Sequence, residues 1–449
     1  MTSLLEDAAR RAMHYLDRLP TRRVSASPRA LAALRALQQP LPDGPQAAEA
    51  VLQRLDEIGS PATTATAGGR FFGFVTGGAL PVTVAAHWLA TAWDQNAATP
   101  GSAAAFEQVA LDWLLELFEL PRDAAGAFVT GATQANLCAL AAARHALLAR
   151  AGWNVEADGL FGAPPITVVA GAEVHPTVIK ALGVLGLGRE RVVRLPCDAQ
   201  GRLRARALPR LAGTPAIVCL QAGNVNTGAF DELGPLVEQA HADGAWVHVD
   251  GAFGLWALAA PSLRHLGAGL AQADSWATDA HKWLNVPYDS GLALVRDGEA
   301  LRAAMSVSAA YLPPHGGLRT PSDYTPELSR RARGVDVWAA LAALGRSGVA
   351  ELVERCCAHA RRFAEGLAAA GHTVLNEVVL NQVLVVFRDA ETTRRVIAEL
   401  QMDGTCWCGV TEWQGHTAMR ISVCSWATRA EDVEASLAAM LRIAARQPG

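Results

Sequence analysis

Trp246-Val247-His248-Val249-Asp250-Gly251-Ala252 and Asp274-Ser275-Trp276-Ala277-Thr278-Asp279-Ala280-His281-Lys282-Trp283 decide the fold. Each is a short apolar run that ends in polar residues, the pattern of a strand buried on both faces. Upstream, apolar runs at 127–130, 166–170, 191–195 and 216–221 alternate with helical stretches at 133–151, after His175 and at 233–243. That alternation predicts an α/β fold with a mainly parallel, helix-covered sheet. Beyond the Pro- and Gly-rich stretch 311–326, a long helical pattern leads into strand-like 373–387 and 419–423, the mark of a smaller α+β domain. Residues 1–65 are helical and broken by prolines. The expected organisation is an N-terminal helical arm over 1–75, a large α/β domain over 76–335 and a small C-terminal domain over 336–449.

Composition narrows the function. A chain of 449 residues can bury a large core, and its 51% hydrophobic residues are spread in short runs with no stretch able to cross a bilayer. The first 23 residues mix acidic and basic side chains and lack the apolar centre of a signal peptide, so the cytoplasm is the expected location. A net charge of -4 without a basic run offers no footprint for nucleic acid. The eight cysteines lack paired C-x-x-C spacing and read as buried thiols, with no metal site expected.

Lysine is almost absent. Of 39 basic residues, Lys180 and Lys282 alone are lysines. Lysine persists in such a composition where arginine cannot serve, as where a primary amine must lose a proton and form an imine. Lys180 sits in a helical pattern, Thr177-Val178-Ile179-Lys180-Ala181, and suits a solvated surface. Lys282 follows a strand in a partly apolar, aromatic setting that would lower its pKa.

Ligands of open α/β sheets bind beyond the carboxyl ends of the strands. There, Thr130-Gly131-Ala132-Thr133-Gln134-Ala135-Asn136 turns from strand to helix with a hydroxyl residue at the expected cap, either a phosphate cradle or only a cap. Asp250 ends its strand with His248 on the same side. It suits a pyridinium partner, a helix-capping carboxylate or half of a metal pair. His175, in Glu173-Val174-His175-Pro176-Thr177, is a flat ring at a strand-to-helix junction, able to stack on a cofactor or to serve structure alone.

Together with Phe71-Phe72-Gly73-Phe74 and His281-Lys282-Trp283-Leu284, these segments resemble the group II pyridoxal-phosphate decarboxylases, the aromatic amino acid, tyrosine and glutamate decarboxylase family. The resemblance runs from about Phe71 to Trp426 and implies the aspartate aminotransferase-like, fold type I architecture. It implies pyridoxal 5'-phosphate held on Lys282, Asp250 at the pyridine nitrogen, Ala252 and His175 on the two ring faces, and Ala132 and Thr133 at the phosphate with His281 nearby. It places Tyr311 on a loop that closes over the partner subunit's site in a homodimer, and Arg420 near the substrate carboxylate. Phe74 and Thr76 are the expected substrate contacts.

Three positions depart from the family pattern. Val225 stands where many members have threonine, and the segment Ala103-Ala104-Ala105-Phe106-Glu107 has lost the hydroxyl and the first acidic residue common there. Asp279 replaces a neutral polar residue beside the phosphate; repulsion between carboxylate and dianion sets it outside the expected site. The implied activity is α-decarboxylation of an L-amino acid, aromatic or apolar, with other pyridoxal-phosphate chemistry as the alternative: transamination, aldehyde formation or C–C cleavage. A dinucleotide-binding oxidoreductase finds no support, because Gly183, Gly186 and Gly188 miss the G-x-G-x-x-G register. The two lysines give the first prediction. Purified protein is expected to be yellow; Lys282→Ala abolishes the visible band, and Lys180→Arg keeps it, as absorbance spectra will show.

Overall fold

The computed structural model describes residues 2–98, 101–307 and 319–447. The chain divides into two compact units, Ala79–Ala360 with Asn376–Gln382, and Met1–Gly78 with Arg361–Leu375 and Val383–Gly449.

The larger unit is built on seven strands: β1 (Ala125–Val129), β2 (Thr167–Gly171), β3 (Val193–Leu195), β4 (Ala216–Gln221), β5 (Trp246–Asp250), β6 (Ser275–Asp279) and β7 (Gly291–Val295). Their order is β1-β7-β6-β5-β4-β2-β3. From β3 through β6 all pairings are parallel, and β7 runs antiparallel to both β6 and β1. Every residue of β4, β5, β6 and β7 is buried, as suits strands covered on both faces. The helix Ala132–Arg150 covers one face. Ala139, Ala143 and Leu147 share a core cluster with Val129, Ala277 and Ala293.

Edge effects explain the departures from expectation. The strand expected at 191–195 starts only at Val193, because β3 pairs on one side and a 3-10 turn, Arg189–Arg191, takes the residues before it. Strand β7 was not among the expected strands. Parallel strands β4 and β5 end together on polar residues, Gln221 in register with Asp250, and Asp279 closes β6 opposite Gly291, the first residue of antiparallel β7.

The other unit carries a four-stranded sheet, β8 (Thr373–Val374), β9 (Gln382–Val386), β10 (Gly409–Trp413) and β11 (His416–Ser422), in the order β10-β11-β9-β8. The single run expected at 373–387 is therefore two strands, β8 and β9. Asn376 helps close the turn between them by donating from Nδ2 to the Gln382 carbonyl at 2.9 Å. The N-terminal helices, Thr2–Arg18, Pro28–Ala33 and Ala48–Arg54, fall within this unit and bury none of their residues. Leu19, Val24, Ala65 and Phe71 form a small core beside them. All eight cysteines are free, and all but Cys197 are buried.

One glycine ties the sheet to the turn after β1. A Cβ on Gly291 would lie 2.5 Å from the Gly131 Cα and 2.6 Å from its carbonyl carbon. Both atoms are backbone, so the added methyl cannot be accommodated by a side-chain rotation. Gly291→Ala is expected to cost about 1–3 kcal/mol of stability, read as a lower urea midpoint with unchanged slope.

Candidate active site

Asp250 closes β5 almost fully buried, at 5% exposure. A carboxylate there must be met by donors. Its Oδ1 accepts the Ala252 N–H at 3.1 Å, and its Oδ2 accepts from Asn136 Nδ2 at 3.2 Å. Each oxygen retains a further lone pair, so the group can still take a proton-bearing ring nitrogen.

One strand away, β6 leads into Lys282. Its Nζ stands 2.9 Å from Asp279 Oδ2, and Asp279 Oδ1 accepts the Ala132 N–H at 2.6 Å. The Ala132–Arg150 helix thus begins on a carboxylate, the charge its dipole favours. This corrects the expected cap: Gly131 is the capping residue, with no side-chain bond of its own, and Thr133 lies inside the first turn. Asp279, set aside at the sequence level as too repulsive for a phosphate, is the group that joins Lys282 to this helix. The signal for it was its place three residues before the lysine, at the last position of a strand. His281 accepts the Ser290 N–H at Nδ1 over 3.2 Å, and its ring centre lies 4.3 Å from that of Tyr288. Burial above all lowers its pKa.

Behind these groups lies a buried polar chain. His248 Nε2 is 2.8 Å from Asn136 Oδ1, and its Nδ1 is 2.9 Å from Ser275 Oγ. Burial alone pushes the His248 pKa down to about 3, so the ring is neutral. His175 Nδ1 is 2.8 Å from Thr177 Oγ1, which lies 3.3 Å from Asn136 Nδ2. The structure therefore links His175, Asp250 and His248 through Asn136, and separately links Lys282, Ala132, His281 and Asp279.

The remaining expected residues stand elsewhere. Lys180 is exposed on the helix Pro176–Val184. Tyr311 lies outside the described residues. Phe74, Thr76 and Arg420 belong to the other compact unit. There Phe74 is 63% exposed beside the Trp407 ring, Thr76 is buried, and Arg420 pairs with Gly409 across β10 and β11.

Residues 30–389 match the family model described as the pyridoxal-dependent decarboxylase conserved domain. The chain belongs to the pyridoxal-dependent decarboxylase family. Among its relatives, tryptophan decarboxylase 1 of Oryza sativa subsp. japonica is 29% identical over 404 residues, covering 81% of this chain and 78% of that protein. An aromatic-L-amino-acid decarboxylase of Bacillus atrophaeus is 30% identical over 302 residues, 63% of this chain and 60% of the relative. An L-2,4-diaminobutyrate decarboxylase of Rhizobium meliloti is 31% identical over 308 residues, 65% of this chain; the match spans only 59% of the relative's length. The fold matches the crystal structure of Oryza sativa TDC with PLP and tryptamine at a TM-score of 0.91, with 23% identity, over 99% of this chain and 97% of that one.

The cofactor of the family fits the residues present. A lysine amine, a buried strand-end carboxylate with spare lone pairs and an adjoining imidazole meet the aldehyde, the ring nitrogen and the ring face of pyridoxal phosphate. Glycine at 131 leaves the space beside the helix start open, since a Cβ there would lie 3.2 Å from Asp279 Oδ1 and from His281 Cε1.

Neutral His248 makes stability depend on pH. Its folded pKa of about 3 lies below the ordinary 6.5, so the unfolded chain takes up the proton first as pH falls. The contribution is complete above 6.5 and is lost as pH drops from 6.5 toward 3. His248→Gln is expected to flatten that acid limb by up to about 1.4 kcal/mol per pH unit, measured as urea midpoints across the range.

Proposed function

We propose that this protein removes the α-carboxylate of an L-amino acid with an aromatic or apolar side chain, giving amine and carbon dioxide. The observation that carries the reading is Lys282 at the same sheet edge as buried Asp250, on adjoining strands of a pyridoxal-dependent decarboxylase. When bound, pyridoxal phosphate supplies an electron sink for the pair left behind by the departing carboxylate. Asp250 would face the ring nitrogen, Lys282 would offer the attaching amine, and His175 and Ala252 would hold the ring. Ala132, Thr133 and His281 serve the phosphate end.

The substrate class rests on likeness to the relatives named for tryptophan and aromatic amino acids. A diaminobutyrate decarboxylase and the acidic amino acid decarboxylases match at similar identity. Aldehyde formation is the second reading, favoured by phenylacetaldehyde synthase of Petunia hybrida, 28% identical over 286 residues. The working unit is a cytoplasmic homodimer with shared sites. Leu5 and Met13, more than half exposed on a helix that buries nothing, support a second copy over the arm.

Tyr311 separates amine from aldehyde. A phenol within reach of Cα can protonate it after carbon dioxide leaves. Incubation with each amino acid, with assays of carbon dioxide, amine, aldehyde and oxygen, tests both readings. An aromatic substrate is expected to give carbon dioxide and amine in equal amounts. Tyr311→Phe is expected to lower amine formation by about a hundredfold or more, to keep releasing carbon dioxide, and to divert in air to aldehyde and ammonia. Amine formed at the normal rate by Tyr311→Phe would remove this residue from the proton transfer.

A further inference from the structure

Donor and acceptor rules fix every proton in the buried chain behind Asp250. Asp250, as a carboxylate, only accepts, so Asn136 must turn Nδ2 toward its Oδ2, 3.2 Å away. The second Nδ2 proton then faces Thr177 Oγ1 at 3.3 Å, and Oδ1 faces His248 Nε2 at 2.8 Å. Nε2 must therefore carry the proton. Neutral His248 is left with a bare Nδ1, which accepts from the Ser275 hydroxyl at 2.9 Å, and Ser275 Oγ accepts the Trp246 indole N–H at 2.9 Å. On the other arm, Thr177 Oγ1 already accepts from Asn136, so its own proton goes to His175 Nδ1 at 2.8 Å. The Thr177 N–H reaches the same nitrogen at 3.3 Å. His175 is left with its proton on Nε2.

We propose that Asn136 is a positioning residue that holds Asp250 as a carboxylate and, through Thr177, fixes His175 as the neutral Nε2–H tautomer. The proposal rests on the reading that Asp250 and His175 flank the pyridoxal ring, and it deepens that reading. The Asn136 N–H on Oδ2 and the Ala252 N–H on Oδ1 fix the direction in which the carboxylate faces and leave each oxygen a lone pair for the ring nitrogen. A bare Nδ1 occupied by two donors likewise keeps His175 from becoming a second cation beside that ring. Because Asn136 and His248 are fully buried, the amide cannot exchange its partners for water. Asp250 thus decides which way Asn136 faces, and the Nε2 proton of His248 holds it there.

The test uses holoprotein loaded with nitrogen-labelled pyridoxal phosphate and nitrogen NMR of both the cofactor ring and the histidines. Asn136→Leu keeps the size and removes the donor without adding a charge. Its pyridine nitrogen signal is expected to move toward the unprotonated form, with kcat down about tenfold or more and KM near the normal value. Thr177→Val should leave the pyridine signal in place and turn His175 from one tautomer to a mixture. A role confined to packing would lower stability and leave both nitrogen signals unchanged, which overturns the proposal. Asn136→Ala is read in the same way should Asn136→Leu not fold, and Thr177→Val decides the His175 arm independently. A colourless normal protein would instead refute cofactor binding itself, so the two failures are distinct.

Discussion

Placing a carboxylate at the buried end of β5 is the constraint to which the rest of the larger unit answers. An unmet charge at that depth would cost several kcal/mol or would simply be neutralised by a proton. Asp250 is met by two N–H groups from different elements, Ala252 from the turn that follows and Asn136 from the helix over the sheet. The helix must therefore start at a fixed height. Gly131, Gly291 and Asp279 set that height together, two by permitting close backbone approach and one by accepting the first helical N–H.

Asp279 shows how one residue can serve fold and site at once. Its two oxygens divide their work, one on the Ala132 amide and the other on Lys282. Repulsion between a carboxylate and a phosphate, reckoned in isolation, misses this, because the carboxylate answers two positive groups that sequence reading cannot bring together.

Much of the larger unit was legible because its strands are buried on both faces and bounded by polar residues. Strand β5 falls on 246–250 as read, and the lysine contrast survives in space, with Lys180 in solvent and Lys282 paired at the sheet edge. What escaped depended on partners far along the chain. Strand β7 is five apolar residues whose antiparallel place between β1 and β6 no local signal announces. The helix cap was sought in the neighbouring Thr133, whereas the acceptor comes from Asp279. Asn136 was within a recognised segment, yet its function is defined only by His248, Asp250 and Thr177 around it.

The scarcity of lysine gives the molecule an unusual chemical simplicity. It carries two side-chain primary amines, one standing in solvent on the helix Pro176–Val184 and the other mostly enclosed, at 18% side-chain exposure, against a carboxylate. Amine-directed reagents therefore meet a two-site system with a built-in internal standard. The exposed amine reports the dose of reagent, and the enclosed one reports whether its nitrogen is engaged. The fraction of sites in use could be counted from modification at two peptides, without altering a residue or following turnover.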